Sequence, residues 1–396
     1  MGASGWLRAF YFFYFASVSA GLPYLAPYLT GLGLSGAQIG AVQMIGPLLA
    51  APVGLGWATL ADRMGAPGRA LRIVCVGAVL GYLALPWATQ VWPIAAVMFA
   101  TSLFVPAIVP LIDSVSVDAL AGTGGSYARI RLFGSIGYLL LAQLLGLALT
   151  ARGDRAGDIV VPLTLLGCVA GYAVTSFGLP ARAARGPSDA GTRAHVRAAV
   201  GLLADPRLRV LIAVSALHWA CCAPYNLLFG VFVREHGLAS WITGLGTASG
   251  VAAEIVVLYA ATALESRASA RTLLLLAFAG TVLRWSLLAS ASSAFAIVAL
   301  QLLHGLTFGL FWASVVRSLC EYVPARLRAT GLALFGAIVF GVGNALGLQL
   351  SGVGHDQLGR VAPLFGYAAA IELVPLALLL VSRRVLDPGT ARASLS

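Results

Sequence analysis

The sequence predicts an all-α, polytopic membrane protein with twelve transmembrane helices in two pseudo-symmetric six-helix bundles. Three observations carry this. Of the 396 residues, 60% are hydrophobic and only 10% charged, with a mean hydropathy of +0.92, whereas a soluble domain carries about 25% charged residues. The apolar residues fall into runs, and a hydrocarbon core about 30 Å thick needs about 20 of them in a helix. One long polar break then separates six runs from six.

The first six runs lie near 7–29, 38–60, 71–90, 93–117, 129–150 and 159–180. The second six lie near 209–232, 240–264, 272–291, 295–319, 328–352 and 362–382. A membrane barrel would instead alternate over strands of about ten residues. The first run follows Arg8, and Val18-Ser19-Ala20 imitates a cleavage site, but the run continues to Leu29 and eleven more follow. It reads as a span rather than a signal peptide. The break 181–208 carries Arg182, Arg185, Arg193, Arg197 and Arg207 against Asp189 and Asp205. It reads as a linker between an N-terminal bundle, 1–180, and a C-terminal bundle, 209–384, with 385–396 as a tail.

All 25 basic residues are arginine, giving a net charge of +11. With both termini and the linker in the cytoplasm, only Arg152, Arg155, Arg234 and Arg360 fall on the opposite side. The positive-inside rule therefore orients the chain in the cytoplasmic (inner) membrane. The absence of lysine excludes a Walker-type phosphate loop and Schiff-base chemistry. The arginines form no basic stripe with interleaved aromatics, which argues against nucleic acid as a partner. Five cysteines without CxxC spacing read as small core residues, not as a zinc or disulfide framework. No HExxH or GxSxG is present, so the expectation is no enzyme, no metal and no cofactor.

An ionisable side chain near the bilayer centre costs about 2.5–3.5 kcal/mol on insertion scales and faces a partner or an aqueous path. The candidates are Asp113, Arg131, Glu254, Arg284, His304 and Glu372, with His218 and Asn226 among their polar companions. Residues equidistant from the apex of a helical hairpin share a depth. Asp113 and Arg131 are each nine residues from Gly122, so they can pair between the fourth and fifth spans. Glu254 and Arg284 are each fifteen from Ser269, and Arg284 and His304 each ten from Ala294. Glu254, Arg284 and His304 thus form a titratable cluster at one depth. A structural pair fixing two helices is the alternative reading of Asp113 with Arg131. His218, beside Trp219, reads either as a packed polar residue or as a ligand contact, and Glu372 has no evident sequence partner.

Two six-helix halves joined by a basic loop resemble the major facilitator superfamily. LADRMG, Leu60 to Gly65, is similar to that superfamily's Asp-Arg-x-Gly loop, which implies that Asp62, Arg63 and Gly65 serve as a gating latch; Ala58 stands where glycine is usual, and the following basic pair is missing. The segments WLRAFYFFYFASVSAGLPYLAPYLTGLGLS, VPLIDSVSVDAL with YARIRLFGSIGYL, and GVAAEIVVLYA with VLRWSLL and LQLLHGLTFG are similar in order and spacing to the phenylpropionate permease group of proton symporters, which is akin to the lactose permeases. The resemblance implies that Asp113 and Arg131 hold the solute, that Tyr138 stacks on its ring, and that Glu254, Arg284 and His304 couple it to a proton. It also places Thr307 where the lactose permeases carry a glutamate, so the titrating group is expected elsewhere, first at Glu254 and then at Asp113.

The expectation is a monomeric secondary transporter in the lipid bilayer that imports a small organic solute with a proton by alternating access. An aryl carboxylate is the favoured substrate, with Asp113, Arg131, Tyr138, His218 and Asn226 as binding candidates. A sugar or nucleoside symporter and a drug-efflux antiporter are the alternatives.

Overall fold

The computed structural model describes residues 2–120, 126–181, 197 and 199–386, so most of the predicted linker and tail lies outside the described residues. Among those residues every regular element is helical. The first half contains α1 (Ala3–Gly21), α2 (Leu25–Gly31), α3 (Gly36–Met64), α4 (Pro67–Tyr82), α5 (Val91–Ser102), α6 (Val105–Leu120), α7 (Tyr127–Ala151) and α8 (Val160–Ser176). The second contains α9 (Pro206–Glu235), α10 (Ser240–Glu265), α11 (Ala270–Ser290), α12 (Ala294–Leu300), α13 (Phe311–Tyr322), α14 (Arg328–Gly336), α15 (Asn344–Leu358) and α16 (Ala362–Val381). Wide π-helical turns, Gly305–Leu310 and Ala337–Gly343, interrupt the tenth and eleventh predicted spans.

Ten helices among the described residues are long and apolar enough to cross a membrane, and the bent pair α1–α2 makes an eleventh. The sixth predicted span is α8, an apolar helix of 17 residues, at the lower end of what spans a bilayer. The 40° bend between α1 and α2 follows Pro23, which has no N–H to continue the ladder. Where α5 and α6 meet, the Leu103 carbonyl accepts from the Trp57 indole at 2.8 Å. Ser35 and Gln38 form a capping box at the start of α3, and Gly65 ends it with φ +56°, a left-handed conformation that glycine adopts without strain.

Contacts divide the chain into two compact units, Met1–Asp189 with Asn226–Ala248, and Ala190–Tyr225 with Ser249–Ser396. The end of α9 and the start of α10 therefore group with the N-terminal helices, which the polar break alone does not announce. Within that first unit, Arg234 donates to the carbonyls of Pro27 and Asp154 at 3.3 and 3.4 Å. The Asp154 carboxylate accepts the Ser240 N–H at 3.1 Å, and Thr150 Oγ1 accepts that of Trp241 at 3.2 Å, so two donors at the start of α10 are satisfied. In the same loop region Asp158 accepts from Arg152 Nε at 2.8 Å and from the Val160 N–H at 2.9 Å. Burial alone would raise the Asp158 carboxyl, but these bonds and the nearby arginine charges hold it below its ordinary 3.8.

Each unit also contains an arginine clamp. Arg72 on α4 donates to the carbonyls of Ser176, Phe177 and Leu179 at the end of α8. Arg271 on α11 donates to those of Leu379 and Leu380 at the end of α16. Helix C-termini leave carbonyls unpaired and carry partial negative charge, which a guanidinium meets with several donors.

Close helix approach sets one sharp requirement. A Cβ at Gly137 of α7 would fall on the backbone carbonyl of Phe12 of α1. Gly137→Val is expected to force the two helices apart and to cost at least about 1–3 kcal/mol, read as a lowered unfolding midpoint in detergent. An unchanged midpoint would mean that this contact yields freely.

Candidate functional site

Polar clusters occupy the otherwise apolar interiors of both units. In the first, Asp113 of α6 pairs with Arg131 Nη1 of α7 at 3.1 Å. The Tyr11 hydroxyl donates to Asp113 Oδ1 at 2.6 Å and lies 3.2 Å from Ser116 Oγ, so α1 joins the pair. Arg131 Nη1 also donates to the Tyr127 hydroxyl at 3.1 Å. Its guanidinium lies over the rings of Tyr11 and Phe15, 5.9 and 5.5 Å from their centroids. The pair is half-buried: 40% of the Arg131 side chain and 34% of Asp113 remain exposed. Among the described residues the hydrogen bonds of Arg131 run through Nη1 alone, which leaves the Nη2 and Nε donors free.

Tyr138, seven residues beyond Arg131, returns to nearly the same face of α7 and is buried. In the same unit a cavity of about 380 Å³ is lined in part by Tyr14, Gln43, Tyr82, Thr101, Ser102 and Tyr172.

The second cluster assembles as a row. Glu254 Oε2 of α10 lies 3.6 Å from His304 Nε2, and His304 Nδ1 lies 3.1 Å from Arg284 Nη1 of α11. Arg284, 1% exposed, also donates to Thr307 Oγ1 at 2.8 Å and to Gln301 Oε1 at 2.6 Å. Its guanidinium lies 4.4 and 4.6 Å from the ring centroids of Tyr225 and Trp285. The shared depth expected for Glu254, Arg284 and His304 thus brings all three together, with the imidazole between the carboxylate and the guanidinium. Arginine can only donate, so Nδ1 of His304 accepts and its ring hydrogen sits on Nε2, facing Glu254. The Glu254 and His304 side chains retain 20% and 18% exposure.

His218 and Glu372, which no sequence argument joined, meet in the interior of the second unit. His218 Nδ1 lies 2.7 Å from Glu372 Oε1, and both side chains are fully buried. His218 Nε2 lies 3.1 Å from the Thr307 carbonyl. The rings of Phe278 and Phe311 flank the imidazole at 4.8 and 4.4 Å. Asn226, eight residues further along α9, falls with the first unit, apart from His218. Asp62 and Arg63 are exposed at the end of α3, and among the described residues neither forms an ion pair.

The chain matches the model of the MFS_1 like family over residues 5–366. It is 29% identical to a maltose permease of Geobacillus stearothermophilus, covering 96% of this chain and 95% of that protein. It is 26% identical to a probable 3-phenylpropionic acid transporter of Escherichia coli (strain K12), covering 90% and 92%. The crystal structure of the nucleoside transporter NupG superposes with a TM-score of 0.82 at 16% identity, over 96% of this chain and 99% of that one, a likeness of fold. A family match across nearly the whole chain, in a helical membrane fold with charges buried in its spans, places the protein in the MFS_1-like family as a multi-pass transporter of small solutes.

Proposed function

We propose that this transporter takes up an aryl carboxylate, such as a phenylpropanoid acid, together with a proton by alternating access in the inner membrane, as a monomer with both termini cytoplasmic. The observation that carries the reading is Arg131, whose Nη2 and Nε donors are free and whose guanidinium lies over the rings of Tyr11 and Phe15. A guanidinium edge takes a carboxylate through two parallel hydrogen bonds, and the rings suit an attached aryl group. Tyr138 stacks against that group, and His218 and Asn226 rank behind it as contacts. The kinship with a probable 3-phenylpropionic acid transporter supports the same class. Glu254 exchanges the proton, because it is the partly exposed carboxylate of its cluster and faces the N–H of His304. Asp62, Arg63 and Gly65 act as the gating loop.

A sugar is the second reading, favoured by the maltose permease relative and by the exposed part of Asp113, which can accept from hydroxyls.

Proteoliposomes decide between them. Addition of 3-phenylpropionate, but not maltose or uridine, is expected to draw protons inward. Glu254→Gln is expected to reduce proton-driven accumulation to simple equilibration while exchange of bound solute continues. Binding of a solute without proton movement would remove the symport reading, and unchanged accumulation in Glu254→Gln would remove the role of that residue.

A further inference from the structure

The His218–Glu372 pair has no part in the proton exchange proposed above, yet its hydrogen bonds can be assigned donor by donor. The Thr307 carbonyl can only accept, so the hydrogen on His218 Nε2, 3.1 Å away, points to it. Nδ1 and Glu372 Oε1, 2.7 Å apart, cannot face each other as two lone pairs. One proton must lie between them. The pair is therefore imidazolium with carboxylate, or imidazole with carboxylic acid, and is neutral overall in either form. Glu372 Oε2 has no hydrogen-bond partner among the described residues, so a carboxylate left without that proton would be buried and poorly compensated.

The groups around the pair are few and mostly uncharged. On α9, Cys222 Sγ lies 3.8 Å from His218 Nε2, and Cys221 lies against Glu372. From α11 come the uncharged ring of Phe278 and, through Thr307, the charge of Arg284. The turn before Thr307 brings His304. Thr307 sits in the π-helical turn Gly305–Leu310. Its carbonyl accepts from His218 while its hydroxyl accepts from Arg284, so a single residue touches both polar clusters of the second unit.

We propose that His218 and Glu372 form a second proton-binding site, linked through Thr307 to the row of Arg284, His304 and Glu254. Release delivers one proton to water and leaves neutral His218 with a Glu372 carboxylate; the one remaining ring hydrogen then sits on Nδ1, facing Oε1, and the bond from Nε2 to the Thr307 carbonyl is given up. Its use in coupling rests on the symport reading, but its proton content does not.

The test is a proton titration of the purified protein in detergent between about pH 5 and 10, with infrared difference spectra recorded alongside. Glu372→Gln preserves the contact, because its amide N–H donates to Nδ1, and removes the exchangeable proton. This variant is expected to release about one proton per chain fewer than wild type and to lose a carboxyl or imidazolium band that Glu254→Gln keeps. His218→Gln leaves the Glu372 carboxyl without its imidazole partner, is expected to shift the titration of that proton to higher pH, and serves if Glu372→Gln does not fold. Curves for these variants that superimpose on wild type would overturn the proposal. In proteoliposomes with 3-phenylpropionate, Glu372→Gln is expected to keep exchange and lose accumulation. Should wild type itself move no protons, the symport reading fails, while the titration still decides whether the site exists.

Discussion

Arg284→Ala is expected to destabilise the protein by about 3–5 kcal/mol, the largest effect of any single truncation in the second cluster. Removing the guanidinium strands Gln301 Oε1, Thr307 Oγ1 and His304 Nδ1 without their donor. It also opens a void against the faces of Tyr225 and Trp285. Relief of a buried charge works in the opposite direction, but three orphaned acceptors at about 1–3 kcal/mol each outweigh it. Arg284→Lys restores the charge without the planar fork that reaches Gln301 and Thr307 together, so it is expected to recover only part of the loss. Unfolding midpoints in detergent check both variants. An alanine variant as stable as wild type would mean that the cluster tolerates the loss of its centre.

Arg131→Ala is expected to act on transport rather than on folding. The pair with Asp113 is half-exposed, and such pairs contribute little to stability. Loss of two charge-assisted hydrogen bonds to a carboxylate solute corresponds to about 3 kcal/mol or more, or at least about 100-fold in transport efficiency. Initial rates of 3-phenylpropionate uptake check the magnitude, and Arg131→Lys should recover a minor share because it lacks the two-point grip. An equal loss for maltose and 3-phenylpropionate would show that Arg131 arranges the site instead of reading the carboxylate.

Much of this is legible in the sequence, and the physical reason is depth. A helical hairpin links residues on either side of its turn, so counting outward from Gly122 and from Ala294 sets Asp113 beside Arg131 and His304 beside Arg284, where the side chains do meet. Depth says nothing of order around a cluster, so the insertion of His304 between Glu254 and Arg284 is visible only in three dimensions. It is also silent about helices that share no turn. His218 and Glu372 lie on the first and last helices of their half, 154 residues apart, and no count across a turn relates them. The π-helical turns leave no signature either, because one extra residue in a turn alters the phase of a helix without altering its composition. The departure at Thr307 is readable as a missing carboxylate, but not its position between two clusters.

The arginine clamps bear on how the chain is made. Arg72 and Arg271 are synthesised more than 100 residues before the carbonyls they hold, with separations of 104 to 107 in the first case and 108 to 109 in the second. During translation each guanidinium must wait at the membrane surface until the last helix of its own half has been inserted. Neither half can close early, and a ribosome that stalls before residue 176 or before residue 379 leaves an open half with an unsatisfied cation. The last helix of each half is therefore also the piece that seals it.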